Sequence, residues 1–242
     1  MSKSIRPLFL GTYARYSFII NLLKKKKYKN IVEIWSGPFW ISDYYDINFT
    51  GIDMMNKKVK GRSKKMKFKI GDACKLEEKD NNYDFVFSTD MLEHIPPSQR
   101  IQCIKEAIRI CNDTCVIGFP CWKLAQLHDD LLFYYLEWKD KNRKNWRFWW
   151  LVEHVENWLP TYDDLSDIKK SIEKMWYNCE EIRYNDIIQW KNIIAREMKF
   201  INWWIIWLWL STILTLFNKI FKKTYYCDDK LWYRVFLVIK KS

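Results

Sequence analysis

Apolar residues in the first half of the chain recur in two rhythms. Short apolar runs stand at 30–34, 48–53, 66–70, 83–88 and 114–119. Runs of that length, bounded by turn residues, predict buried strands. Elsewhere apolar positions return every three or four residues. Tyr16, Ile19, Ile20 and Leu23 mark one face of a helix over 12–27 that closes in a Lys run. Ile101, Ile104 and Ile108 mark another, opened by Pro96, Pro97 and Ser98. Strands alternating with helices predict an α/β chain with a Rossmann-like doubly wound sheet, parallel and covered on both faces. This core is expected over 1–122.

The rhythm loosens after Pro120. Residues 123–175 read as helical and polar, interrupted at Leu159, Pro160 and Thr161. They are expected to form a helical cap over the carboxyl edge of the sheet. Runs at 179–184 and 233–239 supply a sixth and a seventh strand within 176–242, separated by an apolar insertion over 200–221. Residues 203–217 hold fifteen positions without a charge, short of the roughly 20 that a membrane-spanning helix needs. Two readings stand. The segment is a packed insertion helix or dimer face, or it lies in a membrane surface with Lys199, Lys219, Lys222 and Lys223 toward anionic lipid.

Composition adds three constraints. The net charge is +12, but the lysines are spread over 24–27, 57–67 and 222–223. That spread reads as a basic surface rather than a dedicated nucleic-acid module. Seven cysteines without a CxxC pair read as reduced thiols of a cytoplasmic protein. No histidine stands near Cys111 and Cys115, so no metal site is expected. The third constraint is odd: 6 Gly against 15 Trp. Average usage would give about 17 glycines, and the shortfall nearly matches the excess of tryptophan.

Candidate chemistry collects at the carboxyl ends of the first four strands. A tight turn follows Glu33 and Ile34, through Trp35, Ser36 and Gly37 to Trp40. Asp53, followed by Met54, closes the second strand and is suited to accept hydrogen bonds from two ribose hydroxyls. Asp72 and Ala73 follow the third strand, and Ser88 to His94 follow the fourth. An acid about 20 residues beyond a strand-turn is the layout of a nucleotide-type cofactor site.

Taken in order, these stretches resemble class I S-adenosylmethionine-dependent methyltransferases. Val32-Glu33-Ile34-x-Ser36-Gly37-Pro38 is similar to that family's first motif, and Gly51-Ile52-Asp53 to its ribose-binding acid. Gly71-Asp72-Ala73 is similar to its adenine-side motif, and residues 83–95 to its fourth-strand motif. The resemblance implies an antiparallel last strand and S-adenosyl-L-methionine as cofactor. It implies cofactor contacts from Glu33, Ile34, Trp35, Ser36, Gly37, Trp40, Asp53, Met54, Asp72, Ala73, Ser88 and Asp90. The acceptor stays open, with a small molecule, lipid or glycan precursor favoured over nucleic acid. His94 and His154 are the candidates for a catalytic role, against a structural one. A nicotinamide-binding Rossmann fold fits less well, because nothing after Ile34 follows G-x-G-x-x-G. A catalytically silent scaffold or membrane-associated partner is the alternative function.

Tryptophan conflicts with this site. Such a turn needs glycine for positive φ and close backbone approach, yet Trp35 and Trp40 occupy it. Trp122, Trp158, Trp176 and Trp232 likewise stand in turns or beside strand starts. Loops use Gly for a physical reason and have no use for repeated Trp. Our reading is that many of these six are glycine in the cell, through UGA codons translated there as glycine. With literal tryptophans, the fold is expected to survive with both indoles of the first turn rotated outward.

Overall fold

The computed structural model describes residues 9–35, 40–54, 64–139, 149–199, 204–220 and 231–241. Ser36, Gly37, the basic loop at 57–63, Trp203, Lys222 and Lys223 fall outside them.

Seven strands form one sheet: β1 Ile31–Ile34, β2 Phe49–Asp53, β3 Met66–Ile70, β4 Tyr83–Thr89, β5 Cys111–Pro120, β6 Asn178–Asp186 and β7 Trp232–Lys240. Their order is β3-β2-β1-β4-β5-β7-β6. β1 to β5 pair in parallel, and β7 runs antiparallel between β5 and β6. The expected architecture is therefore present. The helices are α1 Leu10–Lys25, α2 Pro97–Ile110, α3 Lys123–Lys139, α4 Trp149–Asn157, α5 Tyr162–Glu173, α6 Ile187–Lys199 and α7 Trp204–Ile220. The sequence reading did not anticipate α6.

Side-chain alternation divides the core into two layers. Val32, Ile34, Val86, Cys115 and Ile117 pack on one face, with Ile104 and Ile108 of α2 and Leu165, Ile168 and Ile172 of α5. Ile31, Phe85, Phe87, Val116 and Phe236 pack on the other, with Ile19 and Ile20 of α1 and Trp190 and Ile193 of α6. Period two in the strands places successive residues on opposite faces, so both faces are apolar and both must be covered. Each fully buried aliphatic or aromatic side chain contributes about 1.5–3 kcal/mol.

The segment expected as a cap divides in two. α3 packs on α4 and β7, and α4 lies against the short 3-10 turn Leu92–His94 that follows β4. α5 instead joins the face layer, against β6 and α2. Its start is fixed by a reciprocal cap: Thr161 Oγ1 accepts from the Asp164 N–H at 3.1 Å, and Asp164 Oδ2 accepts from the Thr161 N–H at 2.8 Å. α7 lies on α1. It buries Ser211, Thr215 and Asn218 and exposes Leu210, Ile213, Leu216 and Phe217. Among the described residues, no helix is long and apolar enough to cross a membrane.

Two expectations need correction. Cys74 and Cys103 form a disulfide, so the cysteines are not all reduced thiols. The turn after Asp72 lies against α2 and brings together two residues 29 apart in sequence. Trp40 has not rotated outward. Its backbone is extended at φ −123°, it opens only a 3-10 turn at Ile41–Asp43, and its indole is 1% exposed in the layer beneath α1.

The other tryptophans of this set divide by backbone conformation. Trp35, Trp122, Trp158 and Trp176 have φ of 64°, 88°, 58° and 64°. The remaining described non-glycine residues with positive φ are Asn81, Asp90 and Asn185, types that tolerate the left-handed region. Trp232 lies within β7, buried and stacked on Trp122 at 5.8 Å between ring centroids.

Candidate cofactor and acceptor site

β1 and β2 end side by side, and their terminal acids define the first half of the site. Glu33 pairs in register with Gly51, two residues before Asp53. Both carboxylates are buried. Tyr16 of α1 donates its hydroxyl to Glu33 Oε1 at 2.5 Å, while Glu33 Oε2 has no hydrogen-bond partner. Burial raises the Glu33 carboxyl to about 8, against the opposing pull of the Tyr16 hydrogen bond and the Arg15 charge. The chain turns out of β1 at Trp35, whose N–H donates to the Ile52 carbonyl at 2.8 Å. Its indole stacks on the His94 imidazole with centroids 5.8 Å apart.

The other sequence-identified residues fall around this edge in different roles. Ile34 is buried, and its carbonyl accepts from Ser88 Oγ at 2.9 Å. Ser88 therefore braces the start of the turn. Met54 is exposed. Asp72 Oδ1 accepts from the Cys74 N–H at 2.8 Å, shaping the turn that presents buried Ala73. Asp90 is engaged by two arginines. Arg234 of β7 reaches it with Nε at 2.8 Å and Nη2 at 2.7 Å, and Arg15 of α1 with Nη1 at 3.2 Å. Burial opposes the charge on Asp90, but the two guanidinium groups outweigh it and hold its carboxyl below the usual range. Trp40 lies in the core, as described above.

The second half of the site follows β4. Arg100 of α2 donates through Nε to the carbonyls of Leu92 and Ile95 at 3.0 and 3.1 Å, and through Nη2 to that of Asn157 at 3.0 Å. It thereby pins the Leu92–His94 turn to the end of α4. The pinning brings together His94 and His154, 60 residues apart in sequence, with ring centroids 5.0 Å apart. His154 Nδ1 lies 2.7 Å from Asp129 Oδ2, and His154 Nε2 lies 4.0 Å from Glu93 Oε1. Burial opposes the charge on Asp129, but hydrogen bonds with His128 and His154 outweigh it and lower its carboxyl. Tyr233 also donates to Asp129, at 3.0 and 3.1 Å to its two oxygens. Glu93 is fully buried with no hydrogen-bond partner on either oxygen. Glu93, His94 and His154 each offer a ligand atom within 4.8 Å of the others, which makes them the group among the described residues able to hold a metal ion. The sequence reading expected no metal, and it did not identify Arg15, Tyr16, Asp129 or Arg234. Those residues come from three elements distant in sequence, α1, α3 and β7, and no local motif links them.

Residues 40–114 match the family model described as a methyltransferase domain. The chain is 30% identical over 119 residues to norajmaline N-methyltransferase of Rauvolfia serpentina, covering 44% of this chain and 39% of that protein. It is 27% identical over 78 residues to phosphoethanolamine N-methyltransferase 2 of Caenorhabditis elegans, covering 29% of this chain and 18% of that protein. It therefore spans well under half the length of these curated relatives. A solved Thermotoga maritima protein, described as a S-adenosylmethionine-dependent methyltransferase and possible histamine N-methyltransferase, superposes with a TM-score of 0.56. It is 12% identical, with 96% of this chain and 89% of that one covered.

The state of Glu33 sets a pH dependence. Burial lifts its folded pKa to about 8, above the ordinary carboxyl value of 4.5, so the folded chain holds this proton more tightly. Stability from the protonated form is complete below about 4.5 and is lost as pH rises toward 8. Glu33→Gln keeps a neutral side chain, and its stability relative to the parent should rise between pH 5 and 8.5 by on the order of a few kcal/mol. Urea melts at the two pH values check this. Equal pH slopes for variant and parent would remove Glu33 as the titrating group. The sheet order with its antiparallel β7, and the match of residues 40–114 to a methyltransferase-domain model, make this chain similar to class I methyltransferases.

Proposed function

We propose that the protein transfers the methyl group of S-adenosyl-L-methionine to a small-molecule acceptor. The observation that carries this reading is Glu33, a buried acid with one unpartnered oxygen beside the carboxyl end of β2. A cationic methionine moiety fits that oxygen, and its ammonium would bind with loss of the Glu33 proton. Asp53 suits the ribose hydroxyls, and the turn at Asp72 and Ala73 suits the adenine edge. When bound, the sulfonium supplies an activated methyl and a neutral leaving group. The protein's work is then mainly alignment of the acceptor. Acceptors with a reactive nitrogen are favoured, because the two curated relatives described above are named N-methyltransferases. Lipid and glycan precursors are the finer alternatives. A silent scaffold on the same fold is the rival reading.

Calorimetry with S-adenosylmethionine separates the two. Asp53→Ala should weaken binding by about 1.5–3 kcal/mol for each charge-assisted hydrogen bond removed. Equal affinity in the variant would take Asp53 out of the site, and no binding by the parent or by Trp35→Gly would favour the scaffold.

α7 supports a peripheral contact with anionic lipid. Its outward Leu210, Ile213, Leu216 and Phe217 present an apolar face, with Lys219 in its last turn. Ile213→Asp with Phe217→Asp should abolish flotation with vesicles rich in phosphatidylserine and leave the melting temperature unchanged. A parent protein that does not float sinks this contact.

A further inference from the structure

We propose that Glu93, His94 and His154 form a divalent-cation site beside the cofactor turn. Two imidazoles and one carboxylate are a ligand set for first-row transition ions that leaves coordination positions open. Three features distinguish it from a chance cluster. Glu93 is fully buried with neither oxygen hydrogen-bonded, a costly arrangement for which a cation would compensate. His154 has Asp129 at its Nδ1, 2.7 Å away, so its Nε2 faces the Glu93 side. A carboxylate hydrogen-bonded to a ligating imidazole orients the ring and increases its basicity. His94 Nδ1 lies 2.5 Å from Glu153 Oε2 yet is buried without a hydrogen-bond partner. Arg100 holds the two segments together through backbone carbonyls, so the ligands are preorganised by groups outside the cluster. Asp90, three residues before Glu93, is occupied by arginines and takes no part. Because the Trp35 ring lies on His94, an ion here would stand next to the first turn. Its open positions would hold an oxygen or nitrogen donor of the acceptor, a role that rests on the function proposed above.

The ion itself is tested without cofactor. Mn(II) and Zn(II) are each titrated into chelator-treated protein by calorimetry, with folding of every variant checked by circular dichroism. One saturable site is expected. Glu93→Gln and His154→Gln should each weaken it at least tenfold, and Asp129→Asn should weaken it 10–100-fold, in the range for groups that orient ligands. No saturable binding of either ion by the parent, or equal binding by folded Glu93→Gln and His154→Gln, overturns the site. Loss of cofactor binding with metal binding intact would count against the methyltransferase reading and leave this one standing.

A different observation carries a second inference. We propose that positions 35, 122, 158 and 176 are glycine in the protein made by its own cell. Four of the seven described non-glycine residues with positive φ are tryptophan, and the other three are Asn or Asp. Left-handed backbone opposes a Cβ in every L residue, and a bulky side chain there is an outlier. The positions also have the roles that glycine fills. Trp158 follows the last residue of α4, and the Trp176 N–H closes the end of α5 by donating to the Glu173 carbonyl at 2.9 Å. Both are left-handed helix ends, where glycine is the usual residue. Their indoles are 65% and 92% exposed, so no burial offsets the strain. Trp35 stands at the strand-to-turn exit, where glycine would remove the ring covering His94. Trp40 and Trp232 are excluded from the inference, since both are buried and neither has positive φ.

Tandem mass spectrometry of the protein from its source, read against its codons, decides the matter. Glycine at the four positions, encoded by UGA, is expected, and tryptophan in the corresponding peptides overturns the inference. An independent measurement uses the chain as written. Trp158→Gly and Trp176→Gly should each raise the folded-to-unfolded ratio about fivefold, whereas Trp232→Gly should lower it. Trp35→Gly should increase affinity for S-adenosylmethionine. Destabilisation by both exposed-site changes would contradict the assignment.

Discussion

The carboxylate of Asp90 is the point on which the two halves of the molecule depend. It stands at the end of β4, in the left-handed conformation, and receives Arg234 from β7 and Arg15 from α1. Arg234 also donates to Asn185 Oδ1 at 2.6 Å, which extends the linkage to β6. Three strands and a helix thus meet at one largely buried charge, with the Arg234 side chain fully enclosed. Forming such a cluster gives little net stability, because desolvation offsets attraction. Removing a member is expensive, about 3–5 kcal/mol, because a buried charge is left without its partner. The cluster fixes how the antiparallel strand seats against the parallel ones. Through Arg15, it also places positive charge near Glu33 and so couples the frame to the carboxyl edge of β1.

The sheet was legible because its signals are local. Each strand is an apolar run between turn residues, and β3 begins and ends where the pattern says. The acid that closes β2, Asp53, was legible from its place at the end of the second apolar run. Three things were not. α6 follows β6 without a break, and its apolar positions sit close to the longer apolar run of α7. The disulfide depends on the turn after Asp72 meeting α2. The cluster of Asp129, Glu93, His94 and His154 depends on Arg100 pinning a 3-10 turn to α4, a tertiary event with no sequence period. Single residues of that cluster looked ambiguous for good reason, since a lone histidine has no chemistry until its neighbours are known.

Tryptophan at the turns shows where sequence and backbone disagree without breaking the fold. Trp158 and Trp176 extend into solvent, so their cost is confined to their own φ angles. Trp122 finds a partner in Trp232, and Trp35 finds one in His94. Natural chains are locally consistent, with propensity and fold agreeing at each position. Here the disagreements cluster at one residue type. Gly118 of β5, by contrast, stands where only glycine fits: a Cβ there would meet the Phe236 ring at 2.2 Å.

The place of β7 bears on how the protein is made. It is the last strand in chain order among the described residues, yet it lies between β5 and β6, and within those residues β6 pairs with no other strand. During synthesis β1 to β5 emerge first and can pair in parallel. β6 emerges with nothing to join and waits, with α6 and α7 attached, until β7 leaves the ribosome. Pairings over such separations form slowly and leave strand edges exposed meanwhile. The edges of β5 and β6 are therefore the surfaces that a chaperone would shield in the nascent chain, and a chain cut short before β7 would lack the strand that joins β6 to the sheet.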